Sequence, residues 1–199
     1  MSWDCCIFIV KFMKTNFIVQ KTVAALKDKK TILFPTDTVW GIGGDASQTS
    51  VIEAVYKIKR REESKALLCL MRDLDMVAHY FDDIPTMAHK FLHAVNPTTV
   101  ILEHPKGVPS QLIAEDDSMA IRIPQDSFCQ ALLSHFKYPI IATSANISGQ
   151  HTPTNFGQIE PAVLEAVDYV VPLKRIQKMM KPSRILKITN TGEVIVIRD

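Results

Sequence analysis

The sequence predicts a single α/β (mixed α+β) domain in which helices flank one twisted, mixed β-sheet. Three observations support this fold class. The 199-residue chain is 47% hydrophobic and 22% charged, which is a globular composition at a length that suits one domain. Short apolar runs alternate with segments of helical periodicity through the first two-thirds of the chain. The last two apolar runs are separated by the turn signal Asn190-Thr191-Gly192, which predicts a closing hairpin.

The first predicted helix covers residues 17–28 and begins at an N-cap on Asn16. Met13 looks like a second start of the chain, so residues 1–13 are predicted to be an N-terminal extension outside the fold. The domain then covers residues 14–199. The apolar run at residues 5–10 is shorter than most signal-peptide cores and lacks a preceding basic segment, so it does not predict a signal peptide.

The remaining elements follow from the same patterns. A strand at residues 31–34 ends at Pro35, and the glycine-rich residues 35–50 are predicted to form a polar turn. Thr49 or Ser50 then caps a helix that continues to Arg60. Further strands are predicted at 66–71, 98–102, 119–123, 139–143, 168–171, 184–189 and 193–198, and helices near 73–80, 84–94, 127–136 and 160–167.

Charge and cysteine content exclude several protein classes. The formal net charge of +2 argues against a histone-like polycation, although it allows a local basic groove. Four cysteines without a C-x-x-C spacing do not predict a disulfide framework at this size, which indicates a reducing, cytoplasmic location. No apolar run reaches about 18 residues, so we expect no membrane span. The six histidines lack H-E-x-x-H spacing, and no metal site is predicted.

The first polar constellation follows the first strand. Thr36 and Thr38 would share one face of an extended segment, and three glycines follow them within four residues. These glycines could allow close approach of a ligand or a turn with positive φ. Residues 41–46 also fit the dinucleotide fingerprint G-x-G-x-x-A, which raises the hypothesis of a dinucleotide-dependent enzyme. A purely structural turn is the equal alternative.

Two further constellations lie at the ends of predicted elements, where open α/β sheets bind ligands. Lys59 and Arg61 could form a phosphate clamp, because arginine supplies a planar donor fork and lysine a mobile charge. The alternative is an ordinary solvated helix terminus. Ser144 and Asn146 follow a strand and could cradle an anion or another polar ligand, or could form a strand-to-loop turn.

A local excess of positive charge lies at residues 174–187, which hold six cations and no acidic residue. Such a run could attract ATP phosphates or an RNA backbone. A solvated face is the equal alternative. Aromatic residues are not interleaved with these cations, so stacking of bases is not predicted.

Six short segments carry a family pattern when they are taken in chain order. They are residues 31–46 (TILFPTDTVWGIGGDA), Lys59-Arg60-Arg61, residues 96–102, residues 121–124, Ser144-Ala145-Asn146, and residues 182–198 with P-S-R-I and the closing V-I-V-I-R. Together they resemble the YrdC/TsaC family of threonylcarbamoyl-AMP synthases in its single-domain form. The resemblance implies a YrdC-like domain with a concave, positively charged cleft.

The resemblance also implies an activity and roles for named residues. The expected reaction joins L-threonine, bicarbonate or CO2, and ATP into threonylcarbamoyl-AMP and pyrophosphate, with Mg²⁺ accompanying ATP. The product would feed a separate transferase that modifies tRNA to N6-threonylcarbamoyladenosine. The resemblance implies that Lys59 and Arg61 are the catalytic groups. The residues implied to bind ATP and its phosphates are Lys59, Arg61, Ser144, Asn146, Arg122 and Arg198. The residues implied to bind threonine are Thr36, Thr38 and Ser183.

Two alternatives stay open at this point. Residues 69–74 are also similar to the YciO-like paralogues of the same family. The basic run at residues 174–187 is compatible with a non-catalytic module that binds tRNA or double-stranded RNA.

Overall fold

The computed structural model describes residues 3–61 and 67–199, with side chains from residue 13 onward. The helices are α1 (Trp3–Lys27), α2 (Thr49–Lys59), α3 (Leu74–Ala78), α4 (Thr86–Leu92), α5 (Ser127–Phe136) and α6 (Pro161–Ala166). The strands are β1 (Ile32–Pro35), β2 (Trp40–Asp45), β3 (Leu68–Leu70), β4 (Thr98–Glu103), β5 (Ser118–Arg122), β6 (Ile140–Ser144), β7 (Tyr169–Val170), β8 (Arg184–Ile188) and β9 (Val194–Arg198).

Across the described residues, nine strands form one sheet in the order β7-β1-β2-β6-β3-β5-β4-β8-β9. Three neighbouring pairs are parallel, namely β1 with β7, β3 with β5, and β4 with β8. The other pairs are antiparallel, including the terminal hairpin of β8 and β9. The predicted mixed sheet and its closing hairpin are therefore confirmed.

Helices cover both faces of the sheet because each face carries apolar side chains that must be removed from water. On one face, α1 and α5 pack together over β1 and β6, with Leu26 and Leu132 fully buried between them. On the other face, α2 and α6 pack over β2, with Val55 and Val163 in the larger core. This arrangement confirms the prediction of a sheet flanked by helices.

The glycine-rich segment after Pro35 is a strand and not the predicted turn. All six residues of β2 are buried between β1 and β6 near the centre of the sheet. A Cβ atom on Gly43 would lie 1.7 Å from the carbonyl oxygen of Ile141, and one on Gly44 would lie 2.3 Å from Cγ1 of Val51. None of the β2 glycines has a positive φ. They are required for close packing, and the antiparallel strand contradicts the dinucleotide-binding hypothesis.

Two predicted helix caps are wrong. Helix α1 runs without interruption through Asn16, which is therefore an interior residue of the helix and not its N-cap; the apolar residues Ile18, Val19 and Val23 that follow it pack into the core. The N-cap of α2 is Gln48 and neither Thr49 nor Ser50. The boundary between an extension at 1–13 and a domain at 14–199 stays a prediction. The first two residues of that extension lie outside the described part of the chain. Residue 66 of the predicted strand at 66–71 also lies outside it.

Among the described residues, no helix combines the length and the apolar composition that crossing a membrane requires.

Candidate active site

An open cleft lies on the sheet face that α1 and α5 leave partly uncovered. Small residues from three strands, Gly41 of β2, Ala142 of β6 and Ala120 of β5, are among its lining residues. Bulky residues at these positions would fill the space above the sheet, so the small ones keep it available for a ligand.

Seven of the nine predicted site residues line this cleft. They are Thr36, Thr38, Arg61, Arg122, Ser144, Ser183 and Arg198. These residues come from the β1–β2 connection, the segment after α2, the ends of β5 and β6, the residue before β8, and β9. Positions more than 160 residues apart in the chain therefore meet at one site.

The two threonines form one hydrogen-bonded unit at the start of β2. Their hydroxyl oxygens are 3.0 Å apart, and the Thr36 hydroxyl also donates to the carbonyl of Val39 at 2.8 Å. The backbone N–H of Thr38 donates to the Thr36 hydroxyl at 3.1 Å. Both side chains are buried, so the hydroxyl groups are fixed before a ligand arrives.

Arg61 reaches the cleft because α2 ends in a left-handed residue. Arg60 has φ 49° and ψ 45°, and its N–H donates to the carbonyl of Lys57. The N–H of Arg61 then donates to the carbonyl of Tyr56 at 3.1 Å, which turns the chain back across the helix end. Partial burial lowers the pKa of Arg61 from its usual value, although arginine stays charged at all physiological pH values.

Lys59 lies beneath the cleft and does not line it. Its side chain is 1% exposed, and its ammonium donates to the carbonyls of Ser144 at 2.6 Å and Asn146 at 2.8 Å. Its own carbonyl accepts from the N–H of Ser148 at 2.8 Å. Burial, with a smaller contribution from the charge of Arg61, lowers the pKa of Lys59 to about 8. Lys59 thus fastens α2 to the loop that follows β6, and its predicted phosphate contact stays a prediction.

Asn146 also lies outside this cleft and borders a neighbouring polar cavity with Gln150 and His151. Its side-chain amide donates to the carbonyls of Ile147 and Gln150, both at 2.9 Å. These bonds shape the loop after β6. Ser144 remains the member of the predicted pair whose side chain lines the cleft.

The far wall of the cleft is organised around Ser183. Its hydroxyl is 2.8 Å from that of Thr99, and its carbonyl accepts two hydrogen bonds from the guanidinium of Arg198, at 3.1 and 2.7 Å. Burial, and secondly the charge of Arg122, lowers the pKa of Arg198. Sequence reasoning gave Thr99 no site role, although it lies in the 96–102 segment of the family pattern, because its contact with Ser183 depends on the pairing of β4 with β8.

Asp37 is the second residue that sequence reasoning missed. It lies between the two threonines, and its carboxylate forms an ion pair with Arg122 of 3.2 Å. Asp37 lies in the segment at residues 31–46 of the family pattern, but only the fold shows that its partner is 85 positions away.

The basic run at 174–187 does not form a continuous basic patch. Lys174 pairs with Asp126, Lys187 with Asp116 and Glu103, and Arg184 with Asp199. Arg175 lies over the ring of Phe156, with its guanidinium carbon 4.7 Å from the ring centroid. Paired charges attract a polyanion less than free ones, so the structure gives little support to an RNA-binding face here.

No group of three or more histidine, cysteine, aspartate or glutamate side chains converges on a metal position in the part of the chain that the structure describes.

Comparison with known proteins places this cleft in a family. The family model named for Sua5, YciO and YrdC, and described as telomere recombination, matches residues 24–199. The chain belongs to the Sua5/YciO/YrdC family. It is 35% identical over 199 residues to a Methanocaldococcus jannaschii protein assigned provisionally as a threonylcarbamoyl-AMP synthase, covering 96% of this chain and 92% of that protein. It is 29% identical over 160 residues to the threonylcarbamoyl-AMP synthase of Pseudoalteromonas translucida, covering 76% and 86%.

Solved structures of the family share the fold. A P. abyssi Sua5 double variant superposes with a TM-score of 0.82 at 21% identity, covering 92% of this chain and 56% of that one. E. coli YciO superposes with a TM-score of 0.80 at 21% identity, covering 92% and 89%. P. abyssi Sua5 complexed with L-threonine gives 0.74 at 21% identity, covering 86% and 51%. The chain therefore spans about half the length of the P. abyssi protein.

Proposed function

We propose that this family member is a threonylcarbamoyl-AMP synthase of the nucleotidyltransferase class. One observation carries the proposal. Seven residues that the family pattern assigns to ATP and threonine line a single cleft, although they are distributed from position 36 to position 198. The synthase names of the M. jannaschii and P. translucida relatives and the complex of P. abyssi Sua5 with L-threonine support the same activity.

The proposed chemistry needs no nucleophile from the protein. The amine of threonine loses a proton and adds to CO2, which forms a carbamate. A carbamate oxygen then attacks the α-phosphorus of ATP, the bond to the β-phosphate oxygen breaks, and pyrophosphate leaves with the electron pair. Catalysis then depends on positioning and on stabilising the negative charge that gathers at phosphorus.

The cleft carries groups suited to each part of this reaction. The preorganised hydroxyls of Thr36 and Thr38, with Ser183 opposite, would bind the polar groups of threonine. Arg61, Arg122 and Arg198 would bind carboxylate and phosphate oxygens through their donor forks, and Ser144 would add a neutral donor.

Lys59 and Asn146 enter this proposal mainly through the loop that carries Ser144. The ammonium of Lys59 holds the backbone carbonyls on either side of Ala145, and Asn146 fixes the next turn. A direct contact of either side chain with phosphate remains part of the proposal, and it would require the loop to rearrange around the bound nucleotide.

Mg²⁺ would accompany ATP, but the described residues offer no cluster of acidic ligands to hold it. Asp37, a carboxylate of the β1–β2 connection beside the cleft, is already paired with Arg122. The ion would therefore be bound by phosphate oxygens and water, and we assign no step of the reaction to a protein–metal bond.

The product implies a place in a longer sequence of reactions. A mixed anhydride of a carbamate and AMP is unstable in water, so a separate transferase would take the threonylcarbamoyl group to tRNA in the cytoplasm. A contact between this chain and tRNA is a further proposal. An RNA-binding module without synthase activity is not favoured, because the relatives carry synthase names and three of the six cations in the basic run are paired with carboxylates.

The test is release of pyrophosphate from ATP in the presence of bicarbonate, Mg²⁺ and L-threonine. We expect release with threonine and only background release without it. The variant Arg61→Ala tests whether the release depends on this cleft. It should lower turnover by roughly 10²-fold if the guanidinium stabilises developing charge. Equal release with and without threonine would contradict the proposed synthase.

A further inference from the structure

The hydroxyl groups of Thr99 and Ser183 form a buried pair in the wall of the cleft. Their oxygens are 2.8 Å apart, and both residues line the cleft. Thr99 is 3% exposed and Ser183 is 5% exposed. The pair joins β4 to the residue that precedes β8, and these two strands are parallel neighbours in the sheet.

The backbone of Ser183 is fixed on both sides of its side chain. Its carbonyl accepts two hydrogen bonds from the guanidinium of Arg198 in β9, at 3.1 and 2.7 Å. The N–H of the next residue, Arg184, donates to the carbonyl of Pro97 at 3.1 Å, just before β4 begins. With the backbone held and the side chain buried, rotation of the hydroxyl is the main freedom that Ser183 retains.

The direction of the hydrogen bond between the two hydroxyls decides what the cleft offers to a ligand. Each hydroxyl has one hydrogen to donate and two lone pairs that can accept. Neither has a second hydrogen-bond partner among the residues that the structure describes. One O–H of the pair therefore lacks an acceptor, which is unfavourable at a buried position. An oxygen atom of a ligand in the cleft would supply that acceptor.

The free O–H belongs to Ser183 when Thr99 donates. Ser183 is also the member of the pair that the family pattern assigns to threonine. A hydroxyl that accepts from one neighbour is a stronger donor to the next, because hydrogen bonds in a chain polarise one another. In this direction Ser183 presents a donor to the cleft. Its partner on threonine must then be an acceptor oxygen and not the ammonium group.

We propose that Thr99 is a positioning residue whose hydroxyl donates to Ser183 and directs the Ser183 O–H toward an acceptor oxygen of threonine. This inference rests on the proposed function and adds a role for a residue to which the family pattern gave none. Thr99 does not touch threonine in this proposal, and it acts through Ser183.

A double-mutant cycle tests whether Thr99 acts through Ser183. Binding of L-threonine is measured by titration calorimetry for the wild type, Thr99→Val, Ser183→Ala and the double variant. An ATP analogue with a methylene group between the α- and β-phosphates is present to prevent turnover. Thr99→Val keeps the shape of the side chain and removes the hydroxyl. We expect about 5–10-fold weaker threonine binding for Thr99→Val, and no further loss from this substitution in the Ser183→Ala background.

Two further variants separate positioning from a general loss of packing. Thr98→Val makes the same change at the neighbouring buried position, where the hydroxyl donates to the carbonyl of Asn96, and it should bind threonine as the wild type does. Thr99→Ser keeps a hydroxyl and should bind threonine within about 2-fold of the wild type. In the pyrophosphate assay, Thr99→Val should raise the KM for threonine and leave the KM for ATP unchanged, which a merely structural role would not produce.

Two results would overturn the proposal. One is a loss from Thr99→Val that is equally large with and without the Ser183 hydroxyl, which would show that Thr99 contacts the ligand itself or acts only on the fold. The other is unchanged threonine binding by Thr99→Val. If Thr99→Val does not fold, Thr99→Ala takes its place in the same cycle, and a loss that persists in the Ser183→Ala background again contradicts a positioning role.

Parallel assays separate this proposal from the proposed synthase activity. If the wild type binds threonine but releases no threonine-dependent pyrophosphate, the synthase function is contradicted while the binding cycle still decides the role of Thr99. If the wild type is an active synthase and Thr99→Val behaves as the wild type does, only the role of Thr99 is overturned. If the wild type binds no threonine, both proposals are overturned.

Discussion

Lys59 shows how one buried cation can organise a site without facing it. Its ammonium is removed from water and is stabilised by two backbone carbonyls and not by a carboxylate. Arg61, two residues further on, lies on the other side of a left-handed residue and lines the cleft. The two cations of the K-x-R pattern therefore have different physical environments, and their substitutions should have different consequences.

Lys59→Met should lower the free energy of unfolding by about 2 kcal/mol, because it leaves the carbonyls of Ser144 and Asn146 without their buried donor. Arg61→Gln, at a half-buried position that lines the cleft, should cost less stability than Lys59→Met while lowering activity. Chemical denaturation and pyrophosphate release would measure the two effects. Lys57→Met, at an exposed position of the same helix, is the control. Equal stability losses for the two substitutions in K-x-R would contradict this division of roles.

Lys59 should also leave a signature in the pH dependence of stability. Its pKa is about 8 in the folded chain, below the usual value of 10.5 that applies after unfolding. Between these values the unfolded chain binds more protons, so the contribution of Lys59 to the free energy of unfolding rises with pH. The stability difference between the wild type and Lys59→Met should therefore grow from about pH 8 to 10.5. A difference that is constant over this range would show that the pKa is not lowered.

Among the elements, strand β2 depends on glycine because its neighbours leave no room for a Cβ atom at Gly43 or Gly44. Glycine is unfavourable in a strand because it loses conformational entropy and packs no side chain, yet β2, an interior strand of the sheet, has three glycines. The neighbouring carbonyl of Ile141 and side chain of Val51 occupy the positions that Cβ atoms would need. The strand therefore depends on close approach of its neighbours and not on its own propensity.

Gly43→Ala should destabilise the protein by about 3 kcal/mol or more, because a methyl group would overlap the Ile141 carbonyl on an adjacent strand. Gly41→Ala is the matched control, since its added Cβ would lie 3.5 Å from the nearest atom, at ordinary contact distance. Thermal or chemical denaturation would compare them. Similar stabilities of the two variants would refute the packing explanation.

The end of α2 carries a second testable feature. Arg60 adopts a left-handed conformation in which a Cβ atom is unfavourable, so Arg60→Gly should raise the free energy of unfolding by about 0.5–1 kcal/mol. Arg60→Ala keeps the Cβ atom and should give no such gain. If both variants have the same stability, the conformation of this cap does not limit stability.

The sequence predicts most elements of this fold, and its failures have physical causes. Apolar periodicity locates the helices and the other strands because burial is visible residue by residue. It misses β2, where glycines are selected by neighbours that are distant in the chain. It also misplaces the start of α1, because Asn16 resembles a cap although the helix continues through it. The segments flanking the cleft are predictable from the family pattern, whereas Thr99 and the partner of Asp37 depend on strand pairing.

For the whole molecule, the formal charge of +2 conceals a strong difference between regions. Carboxylates neutralise several cations of the run at 174–187, while Arg61, Arg122 and Arg198 line one cleft, in which Asp37 pairs with Arg122. Arg61 also has contacts of its own. We therefore expect the protein to bind small anions at the cleft more strongly than it binds extended polyanions elsewhere.

Pyrophosphate should raise the melting temperature, and adenosine should have a smaller effect, because the arginines bind phosphate charge. At a concentration roughly 100-fold above its dissociation constant, a ligand stabilises the folded state by about 2.7 kcal/mol. Thermal shift assays should show this effect weakening with added NaCl and decreasing in Arg198→Gln. An adenosine effect equal to that of pyrophosphate would contradict an anion site.

The topology of the cleft has a consequence for its synthesis on the ribosome. A nascent chain that has emerged only as far as β6 already carries Arg61, Arg122 and Ser144. It still lacks Ser183 and Arg198, because β8 and β9 join the sheet beside β4 from the far end of the chain. Translation must therefore pass β9 before substrate can meet a complete site, and nascent chains should not bind nucleotide prematurely.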